Sequence, residues 1–123
     1  VIWDNGKILI SKRKENGLLG GLWEFPGGKI ETGENAQDCI IREIKEELDV
    51  DVQPKNFLKQ IKHAYTHFSI TLDAYNCDYI NGTPKAIGCA DWRWVLPEEI
   101  AKLPFPKANH KIFDSIFFEN NLC

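Results

Sequence analysis

The sequence predicts an α+β fold, a mixed β-sheet sandwiched between α-helices, built as a single domain over residues 1–123. Three observations lead there. Segments with period-two alternation and many β-branched or aromatic residues stand on both sides of one helical segment, "NAQDCIIREIKEELD". A glycine-rich stretch separates that helix from the opening strands, and the chain closes on a second run with helical spacing. The order ββ-loop-α-βββ-α gives a sheet with helices packed against it.

The opening "VIW" and "KILISKR" alternate around "DNG", which reads as a hairpin turn. Residues 14–33 hold six of the nine glycines and form a long loop around a short apolar segment, Leu22 to Phe25. The helix begins near Asn35 and ends by Asp49, with Glu34 beside the positive end of its dipole. Strands follow in "FLKQIKHAYTHFSITLDAYNCDYI" and in "WRWVLP". "LPEEIAKL" is a short helix with Pro97 in its first turn, and "NHKIFDSIFF" a closing helix with Ile112, Phe113, Ile116 and Phe117 inward.

Composition narrows the function. The chain has 43% hydrophobic and 27% charged residues with a net charge of −3, ordinary for a globular domain and against any general affinity for duplex DNA. No apolar run approaches a membrane span and no signal peptide is visible, so a cytoplasmic protein without a membrane partner is expected. Cys39, Cys77, Cys89 and Cys123 lack zinc-site spacing and are expected as reduced thiols. The chain contains no methionine, so its N-terminus is expected to be incomplete.

The helix carries the chemical signal. Ala36, Ile40, Ile44 and Leu48 share one side, and Glu43 and Glu47 fall on it too; Glu46 lies at its margin, while Asp38, Arg42 and Lys45 point away. Buried carboxylates cost several kcal/mol each unless a cation compensates, and oxygen-only ligands select a hard ion, Mg²⁺ or Mn²⁺. Such an ion is commonly completed by water and substrate phosphates. In the preceding loop Gly27 and Gly28 allow close backbone approach, and Lys29 adds positive charge.

These residues, "GGKIETGENAQDCIIREIKEELDV", resemble the Nudix box, Gx5Ex7REUxEExGU, with Gly28, Glu34, Arg42, Glu43, Ile44, Glu46, Glu47 and Val50 in register and Asp49 in place of the last glycine. The resemblance implies a metal-dependent nucleoside triphosphate pyrophosphohydrolase using Mg²⁺ or Mn²⁺. It implies Glu43, Glu46 and Glu47 as catalytic metal ligands, Gly27 or Gly28 as a carbonyl ligand, Arg42 as the residue positioning the glutamates, and Glu34 as a structural partner.

"WEFPGGKIE" and "FPKAN" are similar to the 8-oxo-dGTP diphosphatases of that family. That similarity implies hydrolysis of 8-oxo-dGTP to 8-oxo-dGMP and pyrophosphate, with Asn109 reading the base. Arg13 and Lys29 would lie near the nucleotide, Phe25 would wall the pocket, and Asp91 would be a further ligand or base. A competing reading makes Asn109 the N-cap of the closing helix. Two alternatives share the fold: a Nudix enzyme for another nucleotide such as a CTP derivative, and the C-terminal 8-oxoguanine-recognition domain of an adenine DNA glycosylase, the one case that implies a DNA partner. His63 and His67 read as structural or pocket-lining. Oligomeric state is left open.

Overall fold

The computed structural model describes the backbone of residues 1–122 and the side chains of residues 1–116. Phe117 and Cys123, both named above, lie outside the described side chains. Strands β1 (Ile2–Asp4) and β2 (Lys7–Lys12) form the opening hairpin. Its turn residues Asn5 and Gly6 take φ of 50° and 77°, the left-handed pair that matches strand twist in a two-residue hairpin. The loop then touches the sheet once, as β3 (Trp23–Glu24), before α1 (Ala36–Leu48).

Two long strands follow, β4 (Asp51–Ala64) and β5 (Ser69–Asn81), then β6 (Asp91–Val95), the single turn α2 (Pro97–Ile100) and α3 (Lys107–Leu122). The sheet runs β3-β2-β1-β5-β4, with β6 pairing along β2. β1 is parallel to β5 and every other pair is antiparallel, so the sheet is mixed, as the sequence predicts.

Alternation along β2 splits the interior into two cores. Ile8 and Ile10 join Trp23, Phe105, Ile112, Phe113 and Ile116 on the α3 side. Leu9 joins Ile44, Leu48, Val50 and Cys77 on the α1 side. Ile112, Phe113 and Ile116 face inward as expected. One boundary differs: β4 starts at Asp51 rather than Phe57, and carries Pro54 opposite Cys77. Proline withholds a ladder donor, which an outer strand absorbs, and register shifts between Pro54 and Lys59 accommodate it.

Helix α1 is closed at both ends by its own sequence. Asn35 Oδ1 accepts from the Asp38 N–H at 2.8 Å. Asp49 takes φ 56°, ψ 39° and donates its N–H to Lys45 O, doing the work of a C-terminal glycine. Lys45 and Lys85 both approach its carboxylate at 3.2 Å.

Candidate active site

The acidic face of α1 is organised by Arg42. Its Nε and Nη2 donate to the two oxygens of Glu34 at 2.7 and 3.0 Å, its Nη1 donates to Glu43 at 2.8 Å and to Glu46 at 3.2 Å, and Nη2 also reaches Lys29 O at 3.1 Å. One guanidinium thus ties the helix start, two of the three glutamates and the glycine loop into a single frame. This corrects the helical-wheel expectation that Arg42 points away: its side chain is only 24% exposed, because the loop folds back over it. Arg42 and the Glu31 N–H hold the Glu34 carboxyl down at about 2.

The loop reaches the helix through Gly28. A Cβ on Gly28 would lie 2.1 Å from Glu43 Cδ, whereas one on Gly27 would meet nothing within 4 Å. Of the two glycines, only Gly28 is required by sterics. The Cys39 thiol donates weakly to Gly28 O at 3.7 Å, and burial keeps that thiol protonated.

Glu47 faces a second acidic element. Its Oε2 is buried with no hydrogen-bond partner among the described residues. Burial first, then the charges of Glu24 and Glu43, push its carboxyl up to about 8, with Arg13 opposing. Glu24 is likewise raised, by burial, against its ion pair with Arg13 Nη1 at 2.7 Å. Arg13 Nε donates to Leu18 O at 2.7 Å, which folds the loop beside the helix. Arg13, Lys14, Leu18, Glu24, Glu47 and Cys89 line a cavity of about 190 Å³ here. Glu24 was not singled out in the sequence; its signal lies in "WEF", where Trp23 and Phe25 both belong to the α3 side and alternation sends Glu24 to the α1 side.

The remaining residues divide. Glu46 is exposed and, among the described residues, is held only by Arg42. Lys29 is exposed. Asp91 is exposed, and its carboxylate accepts from the Trp92 N–H at 2.8 Å; burial first and then the Glu47 charge raise the nearby Cys89 thiol, with the Asp91 backbone opposing. Phe25 packs on Phe105 and Phe113 at 5.3 and 6.1 Å. Asn109 is 9% exposed and its Oδ1 accepts from the Phe25 N–H at 3.3 Å. The N-cap alternative fails, because α3 already begins at Lys107 and Asn109 lies within its first turn. His63 is half-buried against Tyr65 at 4.5 Å and His67 is exposed, neither placed as a metal ligand.

The NUDIX domain family matches residues 1–115. The chain belongs to the Nudix family. It is 29% identical to the CTP pyrophosphohydrolase of Escherichia coli over 94% of this chain and 85% of that protein. It is 31% identical to an 8-oxo-dGTP diphosphatase of Buchnera aphidicola over 93% of this chain and 95% of the relative. The solution structure of the E. coli ORF135 protein superposes with a TM-score of 0.82 at 29% identity, covering 95% of this chain and 84% of that one. As a Nudix hydrolase the chain acts on phosphoanhydride bonds.

Nudix hydrolases generally use divalent metals, and the residues here fit one. The donor set is all oxygen, Glu47 carries an orphaned buried oxygen, and Gly28 leaves Glu43 no room to retreat. Among the described residues no three acidic, thiol or imidazole side chains converge at ligand spacing, so a bound ion would be completed by backbone carbonyl, water and substrate phosphate.

Proposed function

We propose that this Nudix protein hydrolyses 8-oxo-dGTP to 8-oxo-dGMP and pyrophosphate, with Mg²⁺ or Mn²⁺, clearing an oxidised nucleotide from the pool. The observation that carries the base assignment is Asn109. A buried amide whose oxygen is already fixed by the Phe25 N–H, beside the Phe25, Phe105 and Phe113 rings, keeps its N–H₂ and one carbonyl lone pair for a purine edge. Phe25 supplies an apolar wall for that base.

Glu43, Glu46, Glu47 and the Gly28 carbonyl would hold the cation, which supplies charge neutralisation and acidifies a bound water. Arg42 keeps Glu43 and Glu46 in place. One of the three glutamates would also orient the attacking water. Arg13, whose Nε and Nη1 are engaged by Leu18 O and Glu24, and Lys14 would offer positive charge to the departing pyrophosphate across the small cavity. Lys29 and Asp91, both exposed, would serve as a phosphate contact and a further ligand or base.

A second reading, a CTP-type substrate, draws on the relative from E. coli named above and differs only at the base pocket. Steady-state kinetics on 8-oxo-dGTP, dGTP and CTP, with Mg²⁺ and with EDTA, separates the two. The proposal expects the highest kcat/KM on 8-oxo-dGTP and none with EDTA; a preference for CTP transfers the assignment to the second reading.

A further inference from the structure

Where α3 crosses the end of β4, positive charge gathers with no paired carboxylate among the described residues. Lys107 and Lys111 sit one turn apart on α3, and Lys59, Lys62 and His63 follow along β4. They are close neighbours: Lys59 Nζ donates to Lys111 O at 2.6 Å, and Lys111 Nζ to Lys62 O at 3.2 Å. Burial first, then the charges of Lys111 and Lys107, hold the His63 imidazole below its ordinary value.

Among the described residues none of these four lysines reaches a carboxylate, although Lys45, Lys55 and Lys85 each do. Helix α3 also opens with no acid in its first turn, so the positive end of its dipole adds to Lys107. Asp114 is the one described carboxylate on this helix and pairs with none of them. Like charges held together in a chain of net charge −3 are relieved by an anionic partner.

We propose that this surface docks the phosphodiester backbone of a single-stranded nucleic acid. From Lys59 to His63 a strand spans about 13 Å, enough for a few consecutive phosphates. A duplex carries a charge every ~1.7 Å and sets more of its field against the acidic remainder of the molecule. The adjoining hairpin end offers Tyr65 and Phe68, stacked at 4.8 Å, as a platform that unpaired bases can reach and paired bases cannot. Tyr65 OH accepts from the Ala108 N–H at 3.1 Å, which fixes that platform against α3 beside the lysines.

The test uses anisotropy of a fluorescent oligothymidine of about 12 nucleotides, in EDTA, over a salt series beginning near ~25 mM. Lys107→Gln/Lys111→Gln removes two charges one turn apart on α3, at the expense of a single exposed hydrogen bond from Lys111 to Lys62 O, and Lys7→Gln/Lys102→Gln is the control of equal charge. Four engaged phosphates give a slope of log K against log salt of about −2.8, and the patch variant about −1.4. At low salt the patch variant is expected to bind about tenfold more weakly and the control within about twofold, with melting temperature and nucleotide hydrolysis unchanged. Equal loss in both variants, tighter binding of a duplex of the same length, displacement by tripolyphosphate at equal charge, or no binding by the unaltered chain would each overturn the proposal.

Discussion

Gly28 and Glu43 share a space that only a bare Cα leaves open, since a Cβ on Gly28 would stand 2.1 Å from the Glu43 carboxyl carbon. The loop backbone is thereby packed directly on the Glu43 side chain, which Arg42 Nη1 holds at 2.8 Å.

Gly28→Ala should displace Glu43 and lower kcat by about a hundredfold or more, the scale of losing one charge-stabilising group, while the chain still folds. Gly27→Ala, whose Cβ meets nothing, should retain near-normal turnover. Paired kinetics and circular dichroism check this. Equal loss in both variants would mean that loop flexibility, not the Glu43 contact, is what matters.

Glu47 makes stability depend on pH in the direction opposite to most carboxylates. Its folded-state value of about 8 lies above the ordinary 4.5, so between those two pH values the native chain binds more protons than the unfolded one. Without metal, stability should therefore fall as pH rises through that window, and Mg²⁺ should restore it most at the alkaline end, where the proton has already left. Thermal melts at pH 5.5, 7 and 8.5, with and without Mg²⁺, read the effect. Glu47→Gln should flatten the metal-free slope across this range. A slope unchanged in that variant would assign the burial penalty to another group.

Much of this was legible in the sequence because short-range rules fix it. Asn35, Ile44, Leu48 and Asp49 set the helix and its ends through capping and phase, and the Asn5-Gly6 turn sets the first hairpin. What the sequence withheld depends on contacts between distant segments. Arg42 sits on the outer side of an isolated helix and becomes central only because the loop carrying Lys29 and Glu34 folds across it. Glu24 joins the site because β3 pairs with β2, and Ser11, its cross-strand partner, is fully buried with an unpartnered hydroxyl. A two-residue strand leaves too little period to be read. Asn109 looked like a cap because "KAN" precedes an apolar run, and Pro106 starts the helix earlier by presenting its carbonyl to the Asn109 and His110 N–H groups.

The hydrogen bond from Phe25 to Asn109 supplies the sharpest test of base recognition. Asn109→Ala leaves the Phe25 N–H without its acceptor, costing about 1–3 kcal/mol, so lost selectivity in that variant would be confounded with lost structure. Asn109→Asp keeps an oxygen for Phe25 and replaces the N–H₂ donor by a carboxylate oxygen at constant shape. A carboxylate in the first turn of α3 meets the positive end of the helix dipole, which offsets part of the cost of burying it, so the melting temperature should fall while the chain still folds. If the amide reads the oxidised guanine through paired donor and acceptor groups, Asn109→Asp should cut the preference for 8-oxo-dGTP over dGTP by about ten- to a hundred-fold. Metal-dependent hydrolysis of the phosphate chain should persist, because Glu43, Glu46 and Glu47 sit on a separate helix. A stable Asn109→Asp protein with unaltered preference would leave Asn109 only the task of tying the Phe25 backbone to α3, and the base pocket would have to be sought elsewhere.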